Sequence, residues 1–191
     1  MTGASGALFA REALVQLARD QRVRRINLVA SEHALRVIAE ELSIAARSSL
    51  VERLLGSACA KIELQNNSDI GANIASGSYP TDAMLVLPCS MGTLAKIANG
   101  IADQLIERAA DVCLKEQRRL VLCVRETPLN RVHLRNMLSA SEAGATIYPI
   151  VPALYTRPAD IDTMAREYVH RLLSFIGLPQ DDAYEWSGAA R

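Results

Sequence analysis

Apolar residues along the chain follow two periods that alternate from end to end. Ala10, Ala13, Leu14 and Leu17 recur at helical spacing after a run of small residues. Arg25 to Ser31 (RINLVAS) then reads as a strand, and Ala34, Leu35, Ile38 and Ala39 as a second helix. Leu50, Val51, Leu54, Leu55 and Ala58 predict a third helix capped by Ser48 or Ser49. Lys61 to Leu64 (KIEL) is a short strand before the polar loop Gln65 to Ser68. Two runs, Ala83 to Pro88 (AMLVLP) and Leu120 to Val124 (LVLCV), have no polar face, as expected of parallel strands covered by helices on both sides. Between them SMGTLAKIANG predicts a helix capped by Ser90 and stopped by Gly100. A helix near Leu129 to Ala143, a strand Thr146 to Val151 (TIYPIV) and a helix from about Asp160 to Ile176 complete the series. Such alternation predicts an α/β protein with a doubly wound parallel sheet in three α/β/α layers. One domain is expected over residues 1–176, and 177–191 as a tail that stays mobile unless a partner subunit holds it.

Composition narrows the function. A chain of 191 residues, half of them hydrophobic, suits one domain with a substantial core. Its formal net charge of zero argues against a nucleic-acid partner, which needs a basic surplus. No apolar run reaches the ~18–20 residues of a membrane span, and no signal-peptide pattern opens the chain. Cys59, Cys89, Cys113 and Cys123 lack metal or redox spacing, which predicts buried free thiols in a reducing cytoplasm. His33, His133 and His170 suggest neither a triad nor a metal site.

Three features suit anions. Thr2 to Ala7 (TGASGA) is a glycine-rich turn opening onto a helix, which aims free backbone N–H groups and the positive end of a helix dipole at one spot. A plain helix start reads the same way. Ser90-Met91-Gly92-Thr93 repeats the geometry where a buried strand ends, adding two hydroxyls, although Ser90 also serves as a simple cap. The third is a basic set. Arg125 leaves the LVLCV strand at its carboxyl end, where ligands bind in open α/β sheets. Lys115 precedes that strand, and Arg171 borders the final helix's apolar stripe of Ile161, Met164, Tyr168, Leu172 and Phe175. Each guanidinium suits a carboxylate or phosphate, with Glu126 an ordinary alternative partner for Arg125.

Longer motifs carry a resemblance. TGASGA, SGSY, LPCSMGTLAKIANG, ERAADVCLKEQRRLVLCVRETPLNRVHLRNM, GATIYPIVPALYTRP and LPQDDAYEW resemble, in order, the flavin prenyltransferase (UbiX) family. The resemblance implies a flavodoxin-like Rossmann fold, dodecameric assembly and sites at subunit interfaces. It implies transfer of a dimethylallyl group from dimethylallyl monophosphate to reduced FMN, closing a fourth ring, without a metal. The product, prenylated FMN, serves UbiD-type decarboxylases. Carried over by motif, Gly3, Ala4, Ser5, Ser31, Ser90, Met91, Gly92, Thr93 and Arg125 would contact FMN. Lys115, Arg125, Tyr155 and Arg171 would grip the prenyl phosphate. Ser5, Glu41, Lys115 and Glu126 would be the catalytic groups, stabilising the leaving phosphate or moving protons. Ser76-Gly77-Ser78 reads either as flavin lining or as a plain turn.

Two departures stand out. Relatives carry a strand before the glycine turn, so either the true start lies upstream of Met1 or the chain lacks its usual first strand. Where some relatives have a tryptophan before SGS, Ile70 stands near that place. Two alternatives remain: a flavin-dependent decarboxylase of peptidyl or pantothenoyl cysteine, and a non-catalytic carrier of prenylated FMN.

Overall fold

The computed structural model describes residues 1–45 and 49–184. Ser48, one of the two expected caps, and Trp186 lie outside the described residues. Seven α-helices and five strands alternate here: α1 (Ala7–Arg19), β1 (Ile26–Ala30), α2 (Glu32–Leu42), α3 (Leu50–Leu55), β2 (Ile62–Asn66), β3 (Ala83–Cys89), α4 (Met91–Ala98), α5 (Leu105–Lys115), β4 (Arg119–Val124), α6 (Arg131–Glu142), β5 (Thr146–Ile147) and α7 (Ile161–Phe175). All pairings are parallel, in the order β2-β1 in one sheet and β3-β4-β5 in another.

Strand alternation builds the three layers. Val121 and Cys123 of β4 face a core shared with Leu28 and Ala30 of β1 and with α1, α2, α3 and α7. Leu120, Leu122 and Val124 point the other way, into a core made with α4, α5 and α6. Because both faces are covered, the expected lack of a polar side in this strand is explained.

Hydrogen bonds from the first two residues link the two sheets. The Met1 nitrogen donates to Val29 O (2.7 Å), and Ser31 N donates to Met1 O (3.1 Å). On the other side Thr2 N donates to Pro88 O (3.2 Å). Met1 and Thr2 thus lie between β1 and β3, hydrogen-bonded to both sides.

Other expectations shift in detail. β5 is only two residues long, yet parallel bonding runs on, since Tyr148 N donates to Leu122 O and Ile150 N to Val124 O, both at 2.9 Å. Pro149 has no N–H, but its nitrogen lies on the side away from β4, so the bonding to β4 continues past it. The helix α5 falls in a stretch the hydrophobic pattern left unassigned. The buried stripe of α7 is rotated from expectation: Ala165, Tyr168, Val169, Leu172 and Leu173 face the core, while Ile161 and Phe175 are exposed.

Residues 177–184 lie against the α1–β1 corner. Arg22 Nη2 donates to Pro179 O (2.8 Å), and Gln180 Nε2 donates to Asp20 Oδ2 (3.4 Å) and to Leu178 O (2.8 Å). Leu178 packs on the α1 core.

Candidate active site

The glycine turn lies at the carboxyl edge of the sheet, but the N–H groups of Gly6 and Ala7, where α1 starts, are spoken for. Gly6 takes φ +119°, a left-handed conformation that an L side chain rarely adopts, and starts α1. Glu41, in the last turn of α2, accepts from Gly6 N through both carboxylate oxygens (3.1 and 3.0 Å) and from Ala7 N (2.8 Å). The carboxylate thereby fills the anion seat at the α1 N-terminus. Glu41, expected as a catalytic acid, is in this structure a clamp on the turn. Gly3 is required for a different reason than phosphate approach: a Cβ there would stand 2.4 Å from His33 Cβ. Ala4 is buried, and Ser5 is exposed.

Beside that turn, Ser31 caps α2 by accepting from Ala34 N (3.1 Å). Ser90 caps α4, accepting from Thr93 N (3.3 Å) while its hydroxyl meets Thr93 Oγ1 (3.2 Å). Met91 is buried in the core, so only its backbone faces the turn, and Gly92 is exposed with open space where a Cβ would sit. Arg125 N donates to Cys89 O (3.2 Å), which sets this residue directly beside the Ser90 turn. Its Nε is buried without a hydrogen-bond partner. Glu126 does not supply one: its carboxylate turns back to accept from Thr127 N (3.0 Å). A buried guanidinium nitrogen that lacks an acceptor is what an anionic ligand would satisfy.

Tyr155 and Arg171 meet at a cavity of about 460 Å³, lined also by Tyr148, Tyr168, Glu167 and Tyr184. Tyr155, 58% exposed, stacks obliquely on Tyr184 with ring centroids 5.8 Å apart. Burial pushes the Tyr148 hydroxyl's pKa up, an effect opposed by the Arg171 charge. Thr156 Oγ1 donates to Glu167 Oε2 (2.5 Å), tying the Tyr155 loop to α7.

Lys115 is not brought to this edge. It ends α5, just before β4 begins, and pairs with Glu116 against Gly77. Arg125 lies past the other end of β4, whose six residues span ~20 Å at ~3.3 Å each. Within one chain, then, the expected four-residue phosphate grip is divided. The Ser76-Gly77-Ser78 segment keeps company with Lys115: Arg118 Nη2 binds Gly77 O and Lys115 Nζ crowds the glycine. Among the described residues no group of three or more His, Cys, Asp or Glu converges as a metal site.

Sequence reasoning missed Thr2, whose hydroxyl joins the two turns. The signal available was its place directly before the first glycine.

A glycine turn, a second serine-capped turn and an arginine nitrogen without an acceptor share one rim of a parallel sheet, an arrangement that suits an anionic, nucleotide-type ligand. Residues 1–177 match the profile of the Flavoprotein family, to which the chain belongs. It is 44% identical over 191 residues to the flavin prenyltransferase UbiX of Salmonella typhimurium, covering 99% of this chain and 96% of that one. The structure of AnUbiX (PadA1) in complex with FMN and dimethylallyl pyrophosphate superposes with TM-score 0.88 at 42% identity, covering 100% of this chain and 96% of the other. A dodecameric FMN-dependent UbiX-like decarboxylase from Escherichia coli O157:H7 gives 0.87 at 40%, covering 98% and 100%. Within the flavoproteins this chain is therefore a member of the flavin prenyltransferase UbiX family. The peptidyl-cysteine decarboxylase EpiD, at 18% identity and TM-score 0.58, shares the fold alone.

Proposed function

We propose that this protein transfers a dimethylallyl group from a dimethylallyl phosphate ester to reduced FMN, making prenylated FMN for a UbiD-type decarboxylase. The observation that carries the reading is Arg125: a buried, unpartnered Nε at the rim where the glycine and serine turns meet. FMN is a substrate here, and the rim suits it. Gly92 leaves room for close approach, and the backbone amides of the Ser90 turn together with Arg125 suit its polar groups.

Arg171 and Tyr155 take the prenyl ester's phosphate in the cavity they line. As the allylic carbon–oxygen bond breaks, negative charge grows on the departing phosphate, and a fixed guanidinium and phenol stabilise that charge without reorganising. The five-carbon unit joins the flavin, and the phosphate leaves. A monophosphate donor is preferred in this reading, the cavity offering one guanidinium from this chain.

Lys115 reaches the site from a second copy. Two features support assembly of the dodecameric kind: Lys115 stands at the opposite edge from Arg125, and α6 carries the exposed Leu134 and Leu138 one turn apart on one face. No helix here is long and apolar enough to cross a membrane, and the thiols are free; residence in the cytoplasm fits both.

The test is to incubate the purified protein anaerobically with reduced FMN and dimethylallyl monophosphate and weigh the flavin by mass spectrometry. A five-carbon gain supports the proposal. Bound but unchanged flavin would favour a carrier, and carbon dioxide released from a cysteine-ended acid would favour the decarboxylase. Replacing the monophosphate with the diphosphate decides donor preference.

A further inference from the structure

The two turns of the rim belong to different layers of the chain, 88 positions apart at Thr2 and Ser90. Neither their spacing nor their relative tilt follows from sheet pairing, because β1 and β3 do not pair with each other. One side chain bridges them. Thr2 Oγ1 donates to Pro88 O (2.8 Å) and accepts from Ser90 N (2.8 Å). Thr2 N adds a second bond to Pro88 O (3.2 Å), and Thr2 O accepts from Ala4 N (2.9 Å) inside the glycine turn. The residue is 2% exposed, so water cannot stand in for the hydroxyl. Donor and acceptor capacity of the single hydroxyl are both used, with the one proton directed to Pro88.

We infer that Thr2 is a positioning residue for flavin binding: its hydroxyl fixes the Ser90-Met91-Gly92-Thr93 turn relative to the Gly3-Ala4-Ser5 turn, so that both meet one FMN. The inference rests on the FMN reading above. Thr2 touches no substrate. It acts by holding the amides of two separate turns at one spacing, the condition for an extended ligand to be gripped at both places without the protein reorganising. Loss of the hydroxyl leaves the Ser90 amide without its acceptor and lets the α4 turn drift from the glycine turn.

Thr2→Val keeps the shape and removes the hydroxyl, whereas Thr2→Ser keeps the hydroxyl. Titration with FMN, followed by flavin fluorescence, is expected to show Thr2→Val binding about tenfold weaker or worse, and Thr2→Ser within about twofold of wild type. The KM for dimethylallyl monophosphate at saturating FMN stays within about twofold in both, since Tyr155 and Arg171 rather than the two turns hold its phosphate. A core control, Leu172→Val, is expected to lower Tm without weakening FMN binding, which separates positioning from general destabilisation. Should Thr2→Val not fold, Thr2→Cys, whose thiol is only a weak donor and acceptor, takes its place with the same readouts and Thr2→Ser as its reference. Equal FMN affinity in wild type and Thr2→Val overturns the inference while leaving the flavin site standing. A wild-type protein that binds no FMN overturns the site and the inference together.

Discussion

Glu41 distinguishes two roles by experiment. Family resemblance makes it a catalytic acid, whereas its carboxylate here accepts from the Gly6 and Ala7 amides. Glu41→Ala removes that acceptor from the first turn of α1. The Gly6 bonds are exposed and the Ala7 bond is part-buried, so water recovers part of the loss, and the expected effect is that of a lost N-cap, about 1 kcal/mol. The carboxylate's charge beside the helix dipole adds a few tenths, reduced because Glu41 is exposed. In a chain of this length about 1 kcal/mol moves Tm by about 2–4 °C, so Glu41→Ala should melt about 3–5 °C below wild type. Glu41→Gln keeps one acceptor oxygen and should fall only about 1 °C, a gap that narrows at high salt. Calorimetry at two salt concentrations, with FMN titration alongside, measures both effects. A Glu41→Ala protein that melts with wild type and binds FMN normally, yet loses turnover a hundredfold, would refute the clamp and restore the acid.

Four further outcomes are expected. Burial raises the pKa of the Cys89 and Cys113 thiols and pushes Cys123 up to about 12, so Ellman's reagent on native protein should react promptly only with half-exposed Cys59; all four thiols should react in denaturant. The hydrogen-bonded Arg22 guanidinium holds Asp20 well below the usual carboxylate range. Between that folded value and about pH 4 the unfolded chain binds the extra proton, so stability falls as pH drops, and Asp20→Asn should flatten Tm against pH below 4. Leu138→Arg places a charge on the apolar α6 face, where Leu138 is 60% exposed, and should shift the oligomer towards smaller species by light scattering. Finally, Lys115→Ala and Arg125→Ala subunits, each inactive alone, should regain partial activity when dissociated and reassembled together; no recovery would place both residues in one subunit's site.

The layers were legible because burial leaves a plain mark. Strands covered on both faces must be apolar throughout, and β3 and β4 are. The Ser90 and Asp160 caps could be read because a hydroxyl or carboxylate before a periodic run satisfies the first free amides. β5 could be read as a strand of six, and its bonding to β4 does run on to Ile150, although the regular strand covers two residues. The contacts of residues 177–184 with the α1–β1 corner were hidden for another reason: Asp20, Arg22 and Gln180 are polar residues far apart in sequence, and a pattern of single positions contains no information on which of them meet.

The site divides along the same line. Residues whose place follows from a strand's end, such as Ser31, Ser90 and Arg125, lie where the pattern put them. Lys115 does not, although its motif adjoins that of Arg125. A helix that runs back along the sheet deposits its last residue at the amino edge, and the strand that follows carries the next at the carboxyl edge. Closeness in sequence across a helix–strand junction therefore means separation by a full strand length within one chain. Motifs that lie together in sequence can still serve one site, but only when a second copy turns its amino edge to the first copy's rim. On this geometry, joining Lys115 to the Arg125 phosphate grip is a requirement for assembly, and a monomeric form of the protein should bind FMN yet transfer the prenyl group poorly.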